Sequence, residues 1–247
     1  MERKLYKEFA EIYESHWWFR GRLKILESIF EKFLRPPFFK KRLSILDVGC
    51  GTGSYFGILS GYGDLFGTES DNSVIEDLEK RKVPAEIFKA ELPHMDLGRK
   101  FDVITAFEIL EHLENEHSVF KNIFDHLERG GMFIGTVPAY RWLWSKHDEL
   151  AHHKRRYTKE MIAQRLQETG FTTIKISYYN TLLFPIGAVV RILKKTILKN
   201  ALPVSDFATS SGVFDFLFES MFASERHFLK HFSFPFGFSL IFVAKKA

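Results

Sequence analysis

One segment near residue 50 combines a predicted buried strand with a glycine loop. Residues 43–48 form a short apolar run with branched side chains, which is typical of a strand buried within a sheet. Gly49, Gly51 and Gly53 follow at alternate positions. Glycine lets the backbone turn tightly and lets a ligand approach the main chain, and a helix that begins there presents free N–H groups. The segment therefore predicts a nucleotide pocket at the carboxyl end of a strand.

An acidic residue, Asp47, comes just before the first glycine of this loop. A carboxylate at that position would repel a pyrophosphate group but would suit a ligand that carries an ammonium group. The fingerprint of dinucleotide-binding proteins, G-x-G-x-x-G, requires a third glycine where this chain has Ser54. Both kinds of ligand stay open at this point, as does a glycine turn that binds nothing, but the acid favours the cationic ligand.

Two motifs together resemble a known enzyme family. The pattern Asp-x-Gly-x-Gly-x-Gly of residues 47–53 resembles the first motif of the class I S-adenosylmethionine-dependent methyltransferases. Residues 108–112, Glu-Ile-Leu-Glu-His, follow a predicted strand and resemble the fourth-strand signature of the ubiquinone-biosynthesis-like (type 11/12) branch. The resemblance covers about residues 10–244. It implies S-adenosylmethionine as cofactor and S-adenosylhomocysteine as product, and it is silent on the acceptor.

The order of predicted elements indicates an α/β fold in a single domain, residues 1–247. The family resemblance implies a seven-stranded Rossmann-like methyltransferase sheet whose last strand is antiparallel. The predicted strands are residues 43–48, 64–69, 83–88, 101–107, 132–137, 171–178 and 236–244. A helix over residues 119–127 is predicted to end at Gly130-Gly131.

Two helical additions are predicted around this sheet. Residues 1–37 are expected to form an N-terminal cap of two helices, separated by the aromatic and basic segment 16–22. Residues 179–235, between strands six and seven, are much longer than an ordinary hairpin and are predicted to form a helical insertion. The insertion is expected to be a lid over an apolar acceptor pocket. A membrane-surface contact and a helical pair packed on the sheet or on a second subunit are the alternatives.

The resemblance places the cofactor around the glycine loop. An acid at the end of the second strand, Glu69, can accept hydrogen bonds from both ribose hydroxyls. Lys89 stands where the family often has an acid, so the adenine contact is left open, with Glu91 two residues later. Trp18 and Arg22 are expected to close over the cofactor, with Arg22 near its carboxylate; packing is the competing role of the tryptophan. The expected cofactor-binding residues are Asp47, Gly49, Cys50, Gly51, Gly53, Glu69, Ser70, Ala90, Glu91, Phe107, Trp18 and Arg22.

Histidines are the candidate catalytic bases. Methyl transfer to a hydroxyl group requires alignment of the reacting atoms, exclusion of water and removal of a proton. His112 follows the fourth strand and His153 opens a basic cluster, so both are candidate bases. A surface or capping role is the competing interpretation for each histidine. The expected acceptor-binding residues are His147, Arg155, Arg156 and Tyr157. No metal site is expected, because the histidines near residue 150 lack a compact zinc spacing.

Composition limits the partners and the compartment. The chain has 247 residues and a formal net charge of +4, which does not by itself indicate nucleic acid. Its one cysteine, Cys50, excludes an intrachain disulfide and fits a cytoplasmic location, and no signal peptide is expected. We therefore expect a cytoplasmic enzyme that methylates a small-molecule or amphiphilic acceptor at oxygen, with peripheral membrane contact and a homodimer left open. The alternatives are an NAD-dependent oxidoreductase and a non-catalytic cofactor-binding protein.

Overall fold

A seven-stranded sheet forms the centre of the structure. The computed structural model describes residues 16–197 and 212–247. The sheet order is β3-β2-β1-β4-β5-β7-β6, and β7 runs antiparallel to β5 and β6 while the other neighbours pair in parallel. The predicted seven strands and the antiparallel last strand are therefore confirmed. The strands are β1 Leu43–Val48, β2 Gly63–Glu69, β3 Glu86–Lys89, β4 Phe101–Phe107, β5 Leu127–Pro138, β6 Phe171–Tyr179 and β7 Ser239–Lys246.

Helices cover both faces of this sheet. Successive side chains of a strand point to opposite faces, so Ile45 of β1 enters one buried apolar cluster and Leu46 enters the other. Burial on both faces explains why β1 and β4 read as continuous apolar runs. The described helices are α1 Trp17–Phe33, α2 Phe56–Leu59, α3 Asn72–Lys80, α4 Glu116–Asp125, α5 Lys146–Leu150, α6 Lys159–Thr169, α7 Phe184–Ile197, α8 Val213–Ser224 and α9 Arg226–Leu229.

The sequence suggested that segment 16–22 separates two helices, whereas the structure places residues 17–22 inside α1. His16 caps α1 by accepting a hydrogen bond from the Trp18 N–H at 3.2 Å, and the remaining residues of the segment lie inside the helix. Gly21 does not interrupt it. A Cβ atom at Gly21 would lie 2.6 Å from the ring of Phe222, so the glycine allows α8 to approach α1 closely. The predicted helical residues before His16 lie outside the described residues.

The predicted end of α4 at Gly130-Gly131 is also wrong. The helix ends at Asp125, and both glycines belong to β5, which begins at Leu127 instead of Met132. The β4–β5 register shifts near Phe101, which is the pattern of a β-bulge. A Cβ atom at Gly131 would lie 2.9 Å and 3.0 Å from two backbone carbonyl oxygens, so a glycine is required at this irregularity. A glycine pair marks a bulge here, not a helix end.

The insertion between β6 and β7 contains α7, α8 and α9, and residues 198–211 within it lie outside the described residues. Helix α8 packs against α1. Glu219 of α8 accepts hydrogen bonds from Arg20 at 2.7 Å and from Lys24 at 2.6 Å, and the buried ring of Phe222 contacts Gly21. The described part of the insertion therefore supports the outer side of α1. Within residues 16–197 and 212–247, every helix is too short or too polar to cross a membrane.

The contact between α1 and α8 predicts a large difference between two phenylalanines of α8. Phe222→Ala removes a fully buried ring and should lower the free energy of unfolding by about 3–5 kcal/mol. Phe216→Ala is the matched control, because 72% of its side chain is exposed, and it should change that free energy by less than about 0.5 kcal/mol. Urea denaturation followed by circular dichroism measures both. Equal losses would contradict the packing of α8 on α1.

Candidate active site

A cavity of about 410 Å³ lies where β1, β2, β3 and β4 end. This is the edge at which parallel α/β sheets bind ligands, and the volume is in the range of small-molecule sites. Asp47 and Gly53 do not line the cavity. The expected cofactor-binding residues that do line it are Trp18, Arg22, Gly49, Cys50, Gly51, Glu69, Ser70, Ala90, Glu91 and Phe107.

The glycine loop forms the floor of this cavity. Gly49 and Gly51 have φ values of 64° and 53°, in the left-handed region that favours glycine. A Cβ atom at Gly49 would lie 2.7 Å from the side chain of Ile109, whereas a Cβ atom at Gly51 would project into open space. The first glycine is therefore required by packing. The second leaves room for a ligand beside the main chain.

The carboxylate of Glu69 holds the loop against the end of β2. One oxygen accepts hydrogen bonds from the N–H groups of Ser70 at 2.7 Å and Asp71 at 3.0 Å. The other accepts from the N–H of Gly51 at 3.1 Å. Glu69 is 8% exposed and still lines the cavity. One acid thus fixes two chain segments and borders the space between them.

Asp47 is buried at the end of β1. Its Oδ1 accepts a hydrogen bond from the Thr105 hydroxyl at 2.7 Å, and its Oδ2 has no hydrogen-bond partner among the described residues. Burial raises the pKa of Asp47 to about 7, and the bond from Thr105 opposes this shift. The structure thus places the Asp47 carboxylate against β4, away from the cavity.

Arg22 enters the cavity from α1. Its guanidinium donates to a carboxylate oxygen of Glu108 at 3.1 Å and to the hydroxyl of Thr136 at 2.5 Å. The same group lies 5.0 Å from the ring centre of Trp18 and 5.5 Å from that of Tyr55. Sequence reasoning missed the contact to Glu108. The first position of the Glu-Ile-Leu-Glu-His motif could have indicated it, because that residue directly follows β4.

Three histidines line one end of the cavity, which we call the histidine end: His112, His147 and His153. The ring centres of His112 and His153 are 4.7 Å apart, and those of His147 and His153 are 6.0 Å apart. Burial, with a smaller contribution from His153, lowers the pKa of His112 to about 4. His112 is therefore neutral near pH 7 and carries a lone pair on one ring nitrogen.

Glu111 lies buried behind the histidine end. Neither of its carboxylate oxygens has a hydrogen-bond partner among the described residues. Burial, and then the nearby charge of Glu108, raises the pKa of Glu111 well above its usual range. One ligand atom from each of Glu111, His112 and His153 lies within 4.8 Å of the others, a spacing that could hold a metal ion. No metal site was expected from the sequence, because His153 is far along the chain from the adjacent Glu111 and His112.

The basic cluster does not contribute to the cavity as expected. Arg155 pairs with Glu116 at 3.0 Å, and Arg156 is buried in an ion pair. Tyr157 is fully buried and its hydroxyl donates to the Leu110 carbonyl at 3.2 Å. None of these three side chains lines the cavity, because residue 157 pairs with the end of β5 and draws its neighbours under the surface. Of the expected acceptor-binding residues, the structure brings only His147 to the cavity.

Comparison with known proteins identifies the family. A family model described as a methyltransferase domain matches residues 18–176. The chain belongs to this methyltransferase family. The family predicted from the two motifs is therefore confirmed, and the NAD-dependent oxidoreductase alternative is set aside.

The methyltransferase chain also resembles named proteins. The ubiquinone biosynthesis O-methyltransferase of Coxiella burnetii is 25% identical over 141 residues, which are 53% of this chain and 60% of that protein. The match spans 60% of the length of that protein and 38% of the length of the Rickettsia conorii protein of the same name. The solved plantazolicin methyltransferase BpumL, in complex with a substrate analog and SAH, has a TM-score of 0.59 at 18% identity, covering 92% of this chain and 84% of that one. A SAM dependent methyltransferase from Archaeoglobus fulgidus has a TM-score of 0.59 at 16% identity, covering 97% and 99%. These likenesses confirm the Rossmann-like methyltransferase fold.

The low pKa of His112 predicts a specific effect of pH on stability. The folded state disfavours the charged ring, so between about pH 6.5 and pH 4 the unfolded state binds more protons. His112 should therefore lower the free energy of unfolding by up to about 3 kcal/mol as the pH falls through this window. His112→Gln should remove that part of the acid sensitivity, and urea denaturation at several pH values measures it. The same pH slope in both proteins would contradict the assignment.

Proposed function

We propose that this protein transfers a methyl group from S-adenosylmethionine to an oxygen atom of a small or lipid-linked acceptor, leaving S-adenosylhomocysteine. The observation that carries the proposal is the cavity, which joins the glycine loop and Glu69 at one side to the histidine end at the other. A donor held by the first group would lie beside an acceptor held by the second. The family and the relatives named for O-methylation support this reaction class.

The residues around the glycine loop fit the proposed cofactor. Glu69 borders the cavity and offers carboxylate oxygens to ribose hydroxyls. Open space above Gly51 admits a ligand against the main chain, and Trp18 and Phe107 supply apolar walls. Arg22 is the cation on the cavity wall that suits a carboxylate. S-adenosylmethionine supplies an activated methyl group on a sulfonium, so the protein needs no covalent catalysis.

The protein's own contribution is to orient the acceptor, exclude water and remove a proton. His153 is the favoured base, and His112, held neutral by burial, is the second candidate. Both rings line the same end of the cavity. A positioned base at the acceptor hydroxyl takes its proton as oxygen attacks the methyl carbon. Alignment of oxygen, carbon and sulfur within the cavity lowers the barrier further.

A specific cluster favours a second version of the reaction. Glu111, His112 and His153 have the donor types and spacing to hold a divalent cation. A cation there would bind the acceptor oxygen and make its hydroxyl more acidic, in place of proton removal by a free imidazole. The two versions use the same histidine end. They differ in whether a chelator stops the reaction.

The acceptor in this proposal is amphiphilic. Large apolar side chains are exposed on both helices that flank residues 198–211, including Ile186 at 63% and Val189 at 55% on α7 and Phe216 at 72% on α8. These exposed apolar side chains suit an acceptor with an apolar body, or a lipid surface that carries it.

The cofactor assignment predicts that Glu69 governs binding of S-adenosylmethionine. Glu69→Gln should weaken binding by about 1.5–3 kcal/mol, because a charged acceptor of hydrogen bonds is lost. Asp71→Asn is the control, since Asp71 caps α3 and does not line the cavity, and its affinity should change less than twofold. Titration calorimetry with S-adenosylmethionine and with NAD measures both. Tight binding of NAD without binding of S-adenosylmethionine would overturn the proposal.

The base assignment predicts that His153→Gln lowers turnover by about 10²- to 10⁴-fold with little change in cofactor affinity. His231→Gln, on an exposed residue, is the control. Transfer of labelled methyl from S-adenosylmethionine to catechol and to a lipid extract measures turnover, and partition of the label into organic solvent tests for an apolar acceptor. Loss of activity in EDTA with recovery in Mn²⁺ would favour the metal version. Full activity of the His153 variant would contradict the assignment of His153 both as the base and as a metal ligand.

A further inference from the structure

A buried ion pair lies directly behind the ring of His153 and is unused by the reaction proposed above. Asp148 is fully buried, and Arg156 is 6% exposed. Arg156 donates from Nε to Oδ1 at 2.7 Å and from Nη2 to Oδ2 at 2.9 Å, so the pair is bidentate. Desolvation offsets much of the attraction in such pairs, so net stability is a weak explanation for this one.

The pair is fixed independently of His153. The N–H of Ser145 donates to Asp148 Oδ2 at 2.8 Å and closes a capping box on α5. Arg156 Nη1 donates to the carbonyl of Ala139, at the end of β5, at 3.1 Å. The carboxylate therefore has contacts to a helix start and to the sheet. Its position is set by these elements and not by the histidine it meets.

The backbone turns back after α5 and brings the His153 ring against the Asp148 carboxylate. His152 has a φ of 57°, in the left-handed region, which reverses the backbone after α5. The N–H of His153 donates to the Asp148 carbonyl at 2.9 Å, and the N–H of Lys154 donates to the Glu111 carbonyl at 2.7 Å. Both sides of the His153 residue are thus held. The strained residue directly precedes the ring that lines the cavity.

The hydrogen on the ring follows from the charge of Asp148. Both oxygens of the Asp148 carboxylate accept hydrogen bonds from the Arg156 guanidinium, a bidentate pairing that requires an ionised carboxylate. An ionised carboxylate can only accept, and its Oδ1 lies 2.8 Å from His153 Nδ1, so Nδ1 carries the hydrogen. In a neutral imidazole the other nitrogen, Nε2, then has the lone pair. That nitrogen lies 3.9 Å from Glu111 Oε1, and one ligand atom from each of Glu111, His112 and His153 lies within 4.8 Å of the others.

We propose that Asp148, clamped by Arg156, is a positioning residue that holds His153 in its Nδ1–H tautomer with the Nε2 lone pair directed at the histidine end of the cavity. The catalytic part of this inference rests on the proposed function, since it concerns the histidine that acts there. The tautomer itself does not depend on it. Arg156, expected from the sequence to bind the acceptor, acts in this proposal through two intermediaries, Asp148 and His153.

Nitrogen NMR of the full chain labelled with ¹⁵N-histidine tests the tautomer near pH 7.5. The wild-type His153 signals, assigned by their loss in His153→Gln, should show hydrogen on Nδ1 and none on Nε2. Asp148→Asn should give a mixture that includes hydrogen on Nε2, because the amide can either accept a hydrogen bond from Nδ1–H through its oxygen or donate one to an unprotonated Nδ1 through its NH2 group. Asp102→Asn is the matched control. Asp102 lies at the start of β4, away from the cavity, and its buried carboxylate accepts a hydrogen bond from the Ser44 N–H. This variant should leave the His153 signals unchanged.

Measurements of turnover distinguish a positioning role of Asp148 from a purely structural one. Asp148→Asn should lower kcat by about 10- to 100-fold, the usual range for a carboxylate behind a working histidine, with the dissociation constant of S-adenosylmethionine changed less than twofold. Arg156→Lys keeps the charge but loses the bidentate clamp and should give a smaller loss of kcat. A loss of S-adenosylmethionine affinity as large as the loss of kcat would indicate a structural role and overturn the proposal.

The position of the ring hydrogen on His153 tests the proposal by itself. Hydrogen on Nε2 in the wild-type protein overturns it, as does an Asp148→Asn variant with unchanged ring signals and full kcat. If Asp148→Asn does not fold, the wild-type spectrum and the Arg156→Lys variant supply the same decision. If no methyl transfer is found, the proposed function fails while the spectrum still tests the position of the hydrogen.

Discussion

The hydrogen bonds to Glu69 hold together the part of the structure on which the cavity depends. Parallel strands bring their carboxyl ends to one edge, but the loops that leave those ends diverge. Glu69 accepts hydrogen bonds from N–H groups of the loop after β1 and of the turn after β2, and so holds these two segments side by side. The glycine loop owes its shape to this carboxylate as much as to its glycines. The same acid also borders the open space, where the proposed cofactor would place its ribose.

Arg22 performs the corresponding task on the opposite wall. Its contacts to Glu108 and Thr136 connect α1 to the ends of β4 and β5, so a helix that precedes the sheet in the chain becomes a wall of the cavity. Glu108 has a φ of 52°, an uncommon conformation for a glutamate. Strain of this kind is often found at functional sites, where the surrounding contacts maintain it. The motif Glu-Ile-Leu-Glu-His thus provides one acid for the wall and one, Glu111, behind the histidines.

Local patterns predicted the sheet well, because strand burial and glycine turns leave direct traces in the sequence. β4 was predicted at its observed bounds, and Gly170 ends α6 in the left-handed conformation that favours glycine. Contacts between distant residues could not be predicted in the same way. Nothing near Gly21 in the chain indicates Phe222, and nothing near Arg156 separates a surface cation from one buried against Asp148. Consecutive basic residues suggest a binding patch, whereas the fold buries one of them and leaves its neighbour paired at the surface.

Helix α1 has neighbours on opposite sides, and this limits how the protein can evolve. One side carries Arg22 into the cavity, and the other brings Gly21 against Phe222 of the insertion. Two adjacent positions of one helix are therefore under different selective pressures. Relatives with a shorter connection between β6 and β7 would be free to carry a larger residue at the position of Gly21. In chains that retain the helix pair, the glycine and the aromatic ring should vary together, while the outer surface of the insertion diverges with the acceptor.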